Sequence, residues 1–271
     1  MIGVELRKLV RSRRTWTTIA LIDALPVVVA VLLAVTDLGP RPGTGPAFLS
    51  AVLTDGTLYP LAALGIVLPL FLPIAVALVA GESIAGEAQQ GTLRYVLVRP
   101  VGRGRLLLAK LVASMAFVVL AVLVVAGTAY LLGTALLGDQ DLTTGTTSVS
   151  GTTLSTPELV GRTLLALGYA MLCMLGVAAI ALFASTVADS PLGAAMATMA
   201  VLIGSTLLLT LDAAEALRPW LPTRYWLAFV DLFRDPVLWR DLVRGVLLQG
   251  AYVVVFLAAA WASFATKDVT D

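Results

Sequence analysis

Apolar residues in this chain are gathered into long blocks rather than dispersed. Residues 16–36, 58–80, 106–137, 162–187, 192–211 and 245–264 each form a stretch with few charges. About 20 such residues suffice to cross the hydrocarbon of a bilayer as a helix. Ahead of the first block the pattern changes. Ile2, Leu6, Leu9 and Val10 fall at i, i+4, i+7 and i+8, with Glu5, Arg7, Lys8 and Arg11 on the other face. That spacing predicts a short amphipathic helix, within residues 1–15, lying along the inner membrane surface. Arg13 and Arg14 then mark the end of the first span, with Trp16 at headgroup depth. A basic start before an apolar block also suits a cleaved leader. Asp23, Pro26 and the lack of a small-x-small site before Asp37 favour a retained span.

The connections carry their own signals. Residues 37–57 are rich in Gly and Pro and read as an outer loop. Pro69 and Pro73 are expected to kink the second span. Residues 81–105 form the one sizeable charged segment between spans two and three. Residues 138–161 include a run of Thr, Ser and Gly without a core-forming pattern, which reads as a mobile outer loop or a small β-hairpin. A tight turn at residues 188–191 joins spans four and five. Residues 212–244 hold Trp220, Tyr225, Trp226, Phe229, Phe233 and Trp239, a composition suited to short helices in the outer interface. The fold class is therefore an all-α integral membrane protein with six transmembrane helices in one domain, residues 1–271.

Composition agrees and narrows the chemistry. Hydrophobic residues make up 59% of the chain and charged residues 13%, against about a quarter charged in a soluble domain. Histidine is absent, which removes the commonest general base and metal ligand. The single cysteine, Cys173, lies inside an apolar run, so neither a disulfide nor a thiolate metal site is expected. A net charge of +1 predicts no bulk attraction to nucleic acid. With the N-terminus inside, eleven Lys/Arg fall on cytoplasmic segments and seven on outer ones. The five arginines within 212–244 run against the positive-inside rule, and the five basic residues flanking the first helix outweigh them. Both termini are then cytoplasmic.

Residues 81–110 hold the most distinctive pattern. Leu93, Val96 and Leu97 make an apolar i, i+3, i+4 triplet; Thr92 can cap its start, and Pro100 ends it near Arg99. The result is a short amphipathic helix displaying Arg94 and Arg99, either shaped for a soluble partner or lying in the interface. Asp23, about two turns into span one, is an intramembrane carboxylate. It has either a structural polar contact, with Pro26 and a basic neighbour nearby, or a proton or substrate role. Met171, Met174, Met196 and Met199 either pack or line an apolar pathway.

The run Gly81-Glu82, Gly91-Thr92-Leu93, Arg99-Pro100-Val101, Arg103 and Lys110 resembles the hallmark loop of type-2 ATP-binding cassette (ABC-2) permeases. Glu5-Leu6-Arg7-Lys8 and Phe264-Ala265-Thr266-Lys267-Asp268 are similar to the two ends of that family; the Thr/Ser/Gly insert before span four departs from it. The resemblance implies a transport subunit, not an enzyme, in the cell (plasma) membrane. It would export an apolar or amphipathic molecule with ATP hydrolysed elsewhere. Its partners would be nucleotide-binding ATPase subunits and a second permease, as a homodimer or with a related chain. ATP and Mg would sit on the ATPase, since this chain has no G-x-x-x-x-G-K-[ST] and is expected to bind no cofactor. Residues 81–105 would be the cytoplasmic coupling loop, with Glu82, Glu87, Gly91, Thr92, Leu93, Arg94, Arg99, Pro100 and Arg103 as its site residues. The competing readings are a proton-coupled secondary transporter using Asp23 and a membrane enzyme or scaffold. Neither a convincing internal repeat nor a catalytic cluster supports these.

Overall fold

The computed structural model of the chain describes residues 2–36, 56–91, 103–137, 146–147 and 153–266. Helix α1 spans Ile2–Arg11 and α2 spans Arg13–Val35. A 3-10 turn at Gly56–Leu58 leads into α3, Tyr59–Val67, and then α4, Phe71–Gln89. Helix α5 is Arg103–Leu136, α6 is Thr156–Val187 and α7 is Pro191–Thr210. Three 3-10 helices, Asp212–Ala214, Arg218–Trp220 and Trp226–Phe233, precede α8, Trp239–Thr266. Six of these helices, α2 and α4 to α8, are long and apolar enough to cross a membrane. The chain is an all-α integral membrane protein. The two-residue strands Thr146–Thr147 and Thr153–Leu154 pair antiparallel, a minimal hairpin within the Thr/Ser/Gly segment.

Helix α6 is the hub. Two-thirds of its apolar window (67%) is buried, against 28% for α2 and α7 and 22% for α8. It packs on α4, α5, α7 and α8, and Cys173 and Met174 lie wholly inside the bundle. Met196 faces outward and Met199 is half-buried, so the four methionines do not share one lining.

Span two departs from expectation in its middle and at its end. A kink was expected at its prolines; instead the helix breaks, with residues 68–70 outside α3 and α4 and Leu70 at φ −136°, ψ −60°. Pro69 lacks the N–H that would reach the carbonyl of Gly65, and Pro73 lacks the one for Pro69. The ladder therefore loses two bonds in one row. The bonds that survive on either side are Leu68 N to Leu64 O, 2.9 Å, and Ile74 N to Leu70 O, 3.2 Å. Beyond Ala80, the expected span end, α4 continues for two more turns to Gln89. Ala, Glu and Gln are good helix formers, and Ile84 and Ala85 are buried. Gly91 then ends the helix at φ +66°, a left-handed conformation that costs glycine little.

The stretch before α8, expected to be an outer loop, also differs. Its short helices are 3-10 turns, and they do not simply lie in the interface: Trp226, Phe229, Leu232 and Phe233 are buried against α6 and α8. Polar side chains of the spans hold its backbone. Tyr169 donates to Tyr225 O (2.7 Å) and Gln249 Nε2 to Pro222 O (2.7 Å). Tyr252 donates to Trp220 O (2.9 Å), and Arg162 donates to the carbonyls of Leu232 and Arg234.

Candidate functional site

The segment read as the coupling loop enters from α4 and leaves into α5. Of the site residues expected there, Thr92, Leu93, Arg94, Arg99 and Pro100 lie outside the described residues. Glu82 and Glu87 lie on α4, Gly91 ends that helix, and Arg103 begins α5. The structure brings Glu82 and Glu87 to two different cations. Lys110, two turns into α5 and only 3% exposed, pairs with Glu87 and with Glu5 of α1, the latter at 3.0 Å. Arg14, at the start of α2, pairs with Glu82 at 2.9 Å. Both roots of the loop are thus tied to each other and to the two N-terminal helices.

Magnitude separates the two contacts. Arg14 is 83% exposed, and an exposed pair contributes about 0–1 kcal/mol. Lys110 is buried between two carboxylates, and removing one member of a buried pair costs about 3–5 kcal/mol. The Lys110 cluster is the clamp; Arg14–Glu82 is a lighter strap above it.

Glu5 was expected on the polar face of α1, with Arg7, Lys8 and Arg11. Instead it turns inward beside Leu6 and Leu9, while Ile2, Val4 and Val10 are exposed. The attraction of a buried ammonium outweighs the preference of a carboxylate for water. The available signal was Lys110 itself, a lone cation embedded in an apolar run that requires a partner.

The same end of α4 holds a feature without a sequence signature. Ser185 Oγ of α6 donates to Gly81 O (2.7 Å) and accepts from Ile84 N (3.1 Å) and Ala85 N (2.9 Å). A side chain inserted at the helix ladder in this way loosens it locally. On the other side Gly81 lies against α7, where a Cβ would sit 3.2 Å from Ala195 N. Gly81 therefore serves a close helix crossing, next to the residue that straps α4 to α2.

Asp23 is buried on α2, and its Oδ1 accepts from Thr128 Oγ1 of α5 at 2.6 Å. The basic neighbour expected near it does not supply this contact; a hydroxyl does. Tyr59, wholly buried on α3, donates to Pro26 O in the same helix. Asp23→Asn retains an acceptor for Thr128 and is expected to leave membrane abundance and transport near wild type. Loss of transport at normal abundance, with an altered pH dependence, would instead assign Asp23 to proton coupling.

Among the described residues, no group of three or more Cys, Asp or Glu side chains is arranged to hold a metal ion. A family model described as ABC-2 family transporter protein matches residues 1–200. No curated protein matches the chain. The matched region contains α1, the broken second span and the whole Glu5–Lys110–Glu87 cluster. The chain belongs to the ABC-2 family of transporter proteins.

Proposed function

We propose that the chain is the membrane-spanning permease subunit of an ATP-driven exporter, moving an apolar or amphipathic molecule outward. ATP and Mg would be bound by separate nucleotide-binding subunits that dock on residues 81–105. The observation carrying this reading is the clamp: Lys110 joins α4, α5 and α1 at the base of the loop. A push on the loop therefore moves three helices as a unit. Above the clamp, the Ser185 contact and the break at residues 68–70 give span two places to bend. Clamp and loop lie on the cytoplasmic side of the plasma membrane, with both termini.

Pairing with a second permease, identical or related, also has support. Leu70, in the broken turn, is 48% exposed. Irregular backbone at membrane depth needs shelter from protein or from a hydrated cavity. A neighbouring permease, or the pathway between two of them, supplies it; lipid does not.

The test reverses two arginines of the loop, Arg94 and Arg99. Arg94→Glu with Arg99→Glu exchanges attraction for repulsion at an acidic ATPase surface. Each pair is worth only about 0–1 kcal/mol, so the double variant should reach the membrane normally. Substrate-stimulated ATPase activity and export are expected to fall several-fold when the partner is co-expressed. Wild-type stimulation in that variant would remove the loop from coupling.

A further inference from the structure

Residues 81–86 of α4 lie in the corner where α6 ends and α7 begins. The corner is itself fixed. Ser190 Oγ accepts from Gly193 N (3.1 Å) and Ser190 O from Ala194 N (3.0 Å), which ties the turn to the start of α7. Into this corner α4 brings its two glycines. A Cβ at Gly81 would stand 3.2 Å from Ala195 N, and one at Gly86 would stand 3.7 Å from Pro191 Cγ. Gly81 thus crosses α7 backbone to backbone, and Gly86 touches its first residue. Ser185, near the end of α6 and only 1% exposed, makes the contact from the other helix. Glu87 of the clamp follows two residues after Ala85. A displacement of the loop reaches α1 and α5 through Lys110, and α6 and α7 through this corner.

The hydroxyl of Ser185 is used differently from those around it. Ser83 of α4, Thr186 of α6 and Thr198 of α7 each donate to a carbonyl three or four residues back in their own helix. Ser185 instead donates across to Gly81 O and accepts from Ile84 N and Ala85 N. Every group in this contact has a second partner within its own helix. The α-helical acceptors of Ile84 N and Ala85 N are Ala80 O and Gly81 O. A serine hydroxyl can turn back to the carbonyl four residues earlier, here that of Ala181. The contact can therefore be made or withdrawn without leaving a buried donor or acceptor unsatisfied, which is where the large penalties lie. A packed element with two such arrangements is what carries motion between helices.

We infer that Ser185 is a two-position latch, bonded to α4 in one state and turned back to Ala181 in the other. The exchange passes displacement of the coupling loop to the α6–α7 corner. This role rests on the permease reading and adds to it the residue through which spans four and five follow span two. The structure holds the latched arrangement; nucleotide on the partner subunit selects the withdrawn one.

The full chain, co-expressed with its ATPase subunit and carrying nitrogen-15 isoleucine, is compared without nucleotide and with ADP trapped by vanadate. The Ile84 amide resonance, assigned by its loss in Ile84→Val, is expected to shift between the two states as its acceptor changes from Ser185 Oγ to Ala80 O. In Ser185→Ala it should keep one position, near that of the trapped wild type, because the ladder acceptor alone remains. Amide hydrogen exchange over residues 186–193 reads the transmission. It should change several-fold on trapping in the wild type; in Ser185→Ala that response should be lost while the response of residues 81–89 persists. A serine that only packs α6 would alter exchange in both states alike and leave the response intact. If Ser185→Ala does not fold, Ser185→Cys nearly keeps the volume with a weaker donor and should reduce the response. An unmoved Ile84 resonance in the wild type, or a full response of residues 186–193 in the variant used, overturns the latch. The two readings fail differently. A wild-type response confined to α4 sinks this inference alone, whereas failure of the chain to retain the ATPase subunit sinks the permease reading itself.

Discussion

Lys110→Ala is expected to remove most of the folded chain from the membrane. The substitution leaves Glu5 and Glu87 facing each other, both largely buried (22% and 15% exposed) and without their shared counter-ion. Breaking a buried ionic cluster by deleting one member costs about 3–5 kcal/mol. That is a large part of the roughly 5–15 kcal/mol by which a folded domain exceeds its unfolded state. The loss should appear as low abundance after membrane extraction and a lowered midpoint of thermal unfolding in detergent. The control removes all three charges together. Glu5→Gln, Lys110→Met and Glu87→Gln neutralise the three groups together, and neutral replacement of a buried ionic cluster is often tolerated. The triple variant should recover abundance yet couple poorly, because α1 is no longer tied to the loop. Normal abundance of Lys110→Ala would show that the cluster bears no strain and dismiss it as a clamp.

The contrast between this cluster and the Arg14–Glu82 strap shows which parts of the molecule were legible in the sequence. Span number and order follow from block length alone, because a bilayer imposes one requirement on every residue within it. The charged residues at 82, 87 and 110 likewise stand out against an apolar background. Their partners do not, since pairing across more than 100 positions, as between Glu5 and Lys110, leaves no local periodicity. Glu5 was misplaced for that reason: helical spacing put it on the polar face, and a distant lysine drew it inward. The extent of α4 was underestimated because hydropathy stops at Ala80 while helix propensity does not. The break at residues 68–70 was half legible. Two prolines four apart announce a disturbed ladder, but whether the chain bends or breaks depends on the helices around it. Ser185 gave no signal at all, because a serine in an apolar helix looks the same whether it bonds its own backbone or a neighbour's.

Loosening the segment before α8 is the second large effect expected. Gln249 sits in the interior of α8 and is almost wholly buried, yet it reaches the carbonyl of Pro222; Tyr169 of α6 reaches that of Tyr225. Ser205 of α7 meets Thr223 at 2.7 Å. Three spans therefore converge on residues 222–225, a stretch that aromatic content alone assigned to the membrane surface. Each buried bond lost with one partner left unsatisfied costs about 1–3 kcal/mol. The combination of Tyr169→Phe and Gln249→Leu should then raise local opening of the segment by roughly 30-fold to 10⁴-fold at 1.4 kcal/mol per tenfold, assuming the two costs add. Amide hydrogen exchange read over residues 221–233 measures that opening directly. Fast exchange there, with α6 and α8 still protected, would identify the segment as a cover that opens apart from the bundle. Under the proposed export function, transport should change with it, because cargo leaving past this cover would part it from at least one of the three spans. Unchanged exchange in the double variant would mean that Trp226, Phe229, Leu232 and Phe233 hold the segment by packing alone. The polar contacts would then set its register without contributing to its closure.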